Sequence, residues 1–444
     1  MPGSPAVPLR VAYLVYRGNP HCGGQGVYTR YLARELAALG HEIEVFSGPP
    51  YPELDDPAQL TRVPSLDLYR PDNPFRVPWP WEFKSRIDVQ EFAIMCAAGF
   101  PEPYTFSLRV RRLLRDRRHR FDLLHDNQCL GTGLTKMIDD GWPVLTTLHH
   151  PITVDRDLDL AHETRWWRRA SLRRWYGFLD MQAKVARRIP RHVTVSESSK
   201  RDIAAQMDIP LEHLHVVPVG VDPETFRPVP GVARVRGRIM TTASADVPMK
   251  GLAPLLEALA KVRTERDDAH LVVIGKVKGK SQIPALIERL GLEGSVTFVS
   301  GVTTERIVEL YAEAEVAAVP SLYEGFSLPA IEAMACGVPV VATTGGALPE
   351  VVGSDGDTGL LVPPADPSAL AAGLRRVLDD ADLRERIGAR GRARVLERFT
   401  WRITAERTVE QYRALLDDHL PNDLPNDLPN DLPNDLPNEG TRPC

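Results

Sequence analysis

Residues 323–337 read YEGFSLPAIEAMACG and lie between two apolar runs, EVAAVPSL (315–322) and VPVVATT (338–344). Apolar runs flanking a small-residue segment predict strand, tight loop, short helix, strand. Pro329 falls in the helix's first turn, where its missing N–H costs nothing. Ser327 stands where an N-cap belongs, and Gly337 where a helix stops. Such a loop aims free backbone N–H groups and a positive helix end at one point, which suits an anion. Glu324 and Glu332 flank it, eight positions apart.

The alternation continues outward from this unit. GRIMTTAS (237–244), HLVVIG (270–275) and SVTFVSG (295–301) are short apolar runs separated by helical patterns. Before HVVPVGVDPETFRP (215–228), a first series contains LRVAYLVY (9–16), HEIEVFSG (41–48), FDLLHDN (121–127), PVLTTLHH (143–150) and HVTVSES (192–198). Strands alternating with helices imply parallel sheets covered on both faces. Two series joined by a segment containing Pro and Gly predict an α/β protein of two Rossmann-like, doubly wound domains, 1–219 and 220–399, facing a central cleft. Ligands of such sheets bind outside the strands' carboxyl ends. The tail, 419–444, repeats LPND four times from Leu420; a proline every fourth residue predicts an extended, disordered appendage.

Composition limits what the anion belongs to. The 444 residues are 43% hydrophobic and 25% charged, enough for two cores. A net charge of −5 argues against a nucleic-acid binder. The first 220 residues hold 29 Lys and Arg against 26 Asp and Glu, and the remainder 25 against 33. Five cysteines without a C-x-x-C suggest reduced thiols in a cytoplasmic protein. The N-terminal apolar run is too short for a signal peptide, and no segment reaches the length of a spanning helix.

Three motifs carry chemistry, each beside a plainer alternative. HCGGQG (21–26) follows the first strand and opens a helix, as a phosphate loop does, but a plain tight turn fits equally. The dinucleotide pattern G-x-G-x-x-G fails at Thr29, and Glu44 reads as a surface residue inside its strand. MKG (249–251) puts Lys250 at a helix start, where the macrodipole opposes it; a diphosphate would explain the charge, and a solvated lysine is the alternative. Lysine is scarce here, nine against 45 arginines. Glu332 stands among Ala330, Ile331, Ala333 and Met334, and a carboxylate there suits a ribose diol or sugar hydroxyls better than a packed surface.

The run EGFSLPAIEAMACGVPVVAT (324–343) resembles the E-x7-E segment of the family 4 retaining glycosyltransferases, which have the GT-B fold. CGGQGVYTRYLARELAALGHE, VSESSKRDI (195–203), VVPVGVDPETFRP and FTWRITAERTVEQYRALL (399–416) agree, so the resemblance runs from about Leu9 to Asp418. It implies that Glu324 holds the donor hexose while the backbone at Gly325, Phe326, Ser327 and Leu328 surrounds sugar and diphosphate. Glu332 would bind the ribose, Lys250 would neutralise the diphosphate, and Gly23 and Gly24 would close on it from the other domain. His149 matches the family's histidine near the donor sugar, with His150 second. A helix near 400–418 would pack back on the first domain. One departure is Ser244, where similar enzymes carry an arginine before the lysine.

The implied reaction moves a hexose, with retention, from a UDP- or GDP-linked sugar to an unidentified hydroxyl acceptor: a saccharide, lipid-linked glycan or small metabolite. Neither a metal nor a cofactor is expected; DLD (157–159) reads as surface. Backbone N–H groups and Lys250 would stabilise the departing diphosphate. The segment 161–188, rich in arginine with Trp166, Trp167, Trp175 and Tyr176, invites peripheral contact with an anionic membrane surface or with an anionic acceptor; we favour an amphipathic helix with a solvated basic face and its tryptophans in the core. RVRRLLRDRRHR (109–120) is read in the same way. A nucleotide-sugar epimerase of the same fold and a non-catalytic nucleotide-sugar-binding protein are the alternatives; Glu324, Lys250 and His149 weigh against both.

Overall fold

A computed structural model describes residues 7–20, 24–70, 72–243, 247–277 and 281–419. Gly23, Ser244 and the LPND tail from Leu420 lie outside the described residues. The first sheet contains β1 (Arg10–Val15), β2 (Glu42–Ser47), β3 (Gln59–Arg62), β6 (Leu123–Asn127), β7 (Val144–Leu148), β8 (Arg191–Thr194) and β9 (Leu214–Val216). Between its third and fourth members a small ribbon pairs β4 (Tyr69–Arg70) with β5 (Asn73–Pro74). The second sheet contains β10 (Arg238–Thr242), β11 (His270–Ile274), β12 (Val296–Val299), β13 (Val316–Val319), β14 (Val340–Thr343) and β15 (Leu360–Val362).

Both large sheets are parallel throughout, in the orders β3-β2-β1-β6-β7-β8-β9 and β12-β11-β10-β13-β14-β15. Central strands such as β6, β7, β13 and β14 are buried along their whole length, because helices cover both faces. On the first sheet, Tyr28, Leu32 and Leu36 share one core with Trp401, Val409 and Tyr412, while Phe106, Val110, Leu134 and Ile203 build the other. The helix Trp401–His419 thus lies on the first sheet although its chain arrives from the second. On the second sheet, Leu255, Leu259, Leu370 and Leu374 pack one face; Tyr311, Ile331 and Met334 pack the other.

Strand order reverses between β1 and β6 and again between β10 and β13. These switch points open crevices at the carboxyl ends, where α/β sheets bind ligands. The chain crosses between halves twice, side by side: Val221 N donates to the Phe399 carbonyl at 2.8 Å, and Thr404 Oγ1 to the Pro218 carbonyl at 2.9 Å. Gly220 is required there, since a Cβ would lie 2.2 Å from the Trp401 amide nitrogen.

Several expectations need correction. Glu44 is buried, not a surface group; it accepts from Thr61 Oγ1 at 2.6 Å and Arg117 Nη1 at 3.1 Å. The arginine-rich segment forms the end of one helix, Thr153–His162, and two more, Trp166–Trp175 and Phe178–Ala186. Trp166 and Trp167 are exposed, at 80% and 51%, so the expected core tryptophans are absent from that helix's first turn. Trp175 does pack, against Tyr69 and Phe100. In 109–120, Arg109 is buried between Asp88 and Glu91, at 2.6 and 2.5 Å, rather than solvated. Among the described residues no helix is long and apolar enough to cross a membrane.

Candidate active site

The loops after β7, β10 and β13 converge between the two sheets. After β10, a 3₁₀ turn, Pro248–Lys250, ends at Gly251 with φ 68°. A Cβ at Gly251 would lie 1.9 Å from the Pro320 carbonyl oxygen, so only glycine lets this loop press against the one after β13. That approach brings Lys250 to Glu324. Lys250 Nζ donates to Oε1 at 2.8 Å and Oε2 at 3.0 Å, and Ser321 Oγ donates to Oε1 at 2.7 Å. Glu324 is buried and Lys250 half-exposed, so the carboxylate is fixed while the ammonium still reaches the cleft. The sequence reading gave this lysine no protein partner; the structure supplies one.

The following residues lead into the helix Leu328–Ala335, which starts as expected with Pro329 in its first turn and ends before Gly337 at φ 71°. Ser327 holds the N-cap position, but its hydroxyl caps nothing; it is buried without a partner, leaving the first-turn N–H groups uncapped by it. Phe326 packs against Phe399 and touches cores of both halves. Glu332 is half-buried beside Tyr311, and burial pushes its carboxyl up to about 7.

His149 follows β7. Its amide donates to Gln128 Oε1 at 2.8 Å, while Gln128 Nε2 donates to the His150 carbonyl at 2.8 Å, so one amide side chain clamps both histidines. Its Nε2 lies 2.7 Å from Asn127 Oδ1, whose Nδ2 donates to Thr29 Oγ1 at 3.2 Å. That network assigns the proton to Nε2 and leaves Nδ1 as an acceptor. Burial, with His150 adding to it, lowers the ring to about 3, so it stays neutral at physiological pH.

His149, Lys250, Glu324, Gly325, Phe326 and Leu328 line one cavity of about 450 Å³. It adjoins a second, of about 480 Å³, through His149, His150, Val219 and Leu328. Gly24, at φ 75°, lines the second cavity with Arg17, Gln25 and Trp401. Glu332, in the middle of the helix Leu328–Ala335, lines neither of them.

Sequence reasoning missed the residues that bind the halves together. The Gly325 carbonyl accepts from Ser196 Oγ at 2.6 Å and Ser199 Oγ at 3.0 Å, across the cleft. The Tyr323 hydroxyl donates to Asp202. Glu350, from the second half, accepts from the amides of Glu197 and Ser198 at 2.7 and 2.8 Å, filling the N-terminus of the helix Glu197–Met207. VSESSKRDI marked the serines as a landmark without a role; Glu350 carried no signal at all.

The chain matches two family models: "Glycosyltransferase Family 4" over residues 22–225 and "Glycosyl transferases group 1" over residues 231–394. It is 53% identical over 405 residues to an "MMP alpha-(1->4)-mannosyltransferase" of Mycolicibacterium hassiacum, covering 91% of this chain and 98% of the relative. A "D-inositol 3-phosphate glycosyltransferase" of Kineococcus radiotolerans is 30% identical over 436 residues, covering 91% and 93%. Among solved structures, a sucrose-phosphate synthase from Thermosynechococcus elongatus aligns with TM-score 0.68 at 22% identity, covering 92% of this chain and 100% of that one. Anabaena HepE, crystallised with UDP and glucose, aligns with TM-score 0.66 at 19% identity, covering 91% and 100%. At those identities the structural likeness concerns the fold alone.

Proposed function

From the premise that this chain belongs to glycosyltransferase family 4 and is a glycosyltransferase, we propose that it transfers mannose, with retention, from a nucleoside diphosphate mannose to a hydroxyl of a saccharide acceptor. The observation that carries the reading is the convergence of Lys250, Glu324 and the start of the helix Leu328–Ala335 on one cavity between the two sheets. The sugar is taken from the name of the 53% identical relative. An α-linked product made from an α-linked donor is retention.

Residues 220–399 form the donor side, and residues 1–219 with the return helix at about 400–418 form the acceptor side. Breaking the anomeric C–O bond releases a nucleoside diphosphate, so negative charge grows on phosphate while the sugar gains oxocarbenium character. Lys250 and the first-turn N–H groups meet the first charge in a half-enclosed site, where preorganised donors count for more than in water. The buried Ser327 hydroxyl offers a further donor beside them. Glu324, held by Lys250 and Ser321, presents fixed oxygens to the hexose hydroxyls; Glu332 accepts from the ribose. Neutral His149 accepts a sugar hydroxyl at Nδ1 and adds no charge near the oxocarbenium. Gly24 approaches the diphosphate from the acceptor side. Closing the halves excludes water that would hydrolyse the donor.

The protein works in the cytoplasm, and the exposed Trp166 and Trp167, with Arg165 and Arg168 over the Trp167 ring, fit peripheral contact with an anionic bilayer. A calorimetric screen of UDP- and GDP-sugars, followed by product analysis with mannoside acceptors, tests the function. A mannosyl donor should bind and lose its sugar only when an acceptor is supplied. Epimerisation without acceptor, or binding without turnover, would overturn it.

A further inference from the structure

Arg17, at the carboxyl end of β1, lines the 480 Å³ cavity on the acceptor side, among Asn19, Gln25, Gln128 and the neutral His149. Of the described residues lining that cavity, it is the one with a permanent charge. A half-buried guanidinium facing a crevice is the usual means of gripping phosphate. Here one nitrogen of the fork is already engaged by a carboxylate. Arg17 Nη1 donates to both oxygens of Glu102, each at 3.1 Å. The two groups differ in position: the Glu102 side chain is 12% exposed and lines a narrow cavity behind Arg17, whereas Arg17 is 29% exposed and faces the cleft. Tyr16 forms part of both walls. Burial pushes the Glu102 carboxyl up to about 7, so above that pH an anion arriving from the cleft meets a cation whose charge is offset from behind.

We propose that Glu102 determines acceptor choice: by neutralising Arg17 it fits the acceptor side to an uncharged saccharide and turns away acceptors bearing phosphate. The inference rests on reading this cavity as the acceptor side. Glu102→Gln keeps the shape and removes the negative charge, so Arg17 faces the cavity uncompensated except for the more distant field of Asp67. Phosphate is then gripped by a charge-assisted fork that the wild type lacks.

The direct test is calorimetry with inorganic phosphate on enzyme first saturated with nucleoside diphosphate, so that the donor site is filled. The wild type should show no binding, Glu102→Gln should bind, and Glu102→Gln with Arg17→Met should lose that binding again. The matching kinetic test uses a methyl α-mannobioside and the same compound carrying a phosphate monoester. Glu102→Gln should raise the ratio of kcat/KM for the phosphorylated over the neutral acceptor about tenfold or more. Phosphate binding to the wild type, or equal wild-type use of both acceptors, overturns the proposal without any variant. A folded Glu102→Gln with unchanged phosphate affinity overturns it as well. Absence of mannosyl transfer to either acceptor would instead defeat the functional reading, while the calorimetry still decides the role of Glu102.

Discussion

At Glu332, the neighbours Ile331, Ala333 and Met334 and the ring of Tyr311 remove water from a carboxyl that is pushed from 4.5 up to about 7. Below pH 4.5 both folded and unfolded states hold this proton. As pH rises to 7 the unfolded chain releases it first, so stability from this group is lost across that window, on the order of 1–3 kcal/mol. Glu332→Gln should therefore melt higher than wild type at pH 8 and equally at pH 4.5; parallel melting curves would contradict the assignment. A ribose diol donates to the anion, so nucleoside diphosphate affinity should fall as pH drops below 7. Glu332→Ala should weaken that affinity by about 1.5–3 kcal/mol, and unchanged calorimetric affinity would disprove its ribose role. Glu324→Ala should depress turnover more than nucleotide affinity, because in its proposed role it holds the transferred sugar; steady-state kinetics and calorimetry separate the two. The place of Glu324 on the cavity was legible because it stands in a contiguous segment between two apolar runs; the same segment gave no sign that Glu332 lies outside both cavities. Glu44 was misread because its partner Arg117 is 73 residues away, and alternation along a strand does not reveal it.

The loop after β13 and the helix Glu197–Met207 belong to different halves yet share Gly325, Tyr323 and Glu350. Ser196 Oγ caps this helix by accepting from Ser199 N at 2.9 Å, and Glu350 adds acceptors for the amides of Glu197 and Ser198 from across the cleft, where a negative group also meets the helix dipole favourably. Glu350→Ala should destabilise the closed form by about 1 kcal/mol and raise the donor KM; a donor KM equal to wild type in a folded variant would show that this tie does not matter. Strands and the phosphate-side helix were legible from apolar runs and turn residues. Ties across the cleft were not, since they join residues more than 120 positions apart and leave no periodic trace. The helix Trp166–Trp175 shows a second limit: its arginines and tryptophans suit either a core face or an exposed one, and only packing decides. With both leading tryptophans outside, Trp166→Ala/Trp167→Ala should reduce cosedimentation with phosphatidylserine-containing vesicles severalfold. Equal recovery of variant and wild type would exclude the bilayer contact.

Over the whole molecule, two parallel sheets meet at their carboxyl ends, and the chain crosses between them at Val219-Gly220-Val221 and Phe399-Thr400-Trp401. In the proposed reading the paired crossings act as a hinge, and a ligand gripped by Lys250 on one side and Gly24 on the other would draw the halves together. Small-angle scattering should show wild type compacting with nucleoside diphosphate and Lys250→Ala compacting less at saturation; identical compaction would rule out the clamp. The central claim is mannosyl transfer with retention in this cleft, and NMR of the product made from an α-linked nucleoside diphosphate mannose tests it most directly. The expected result is an α-mannosyl linkage on the acceptor with one nucleoside diphosphate released per bond formed, and a β-linked product, or no linkage at all, would contradict it.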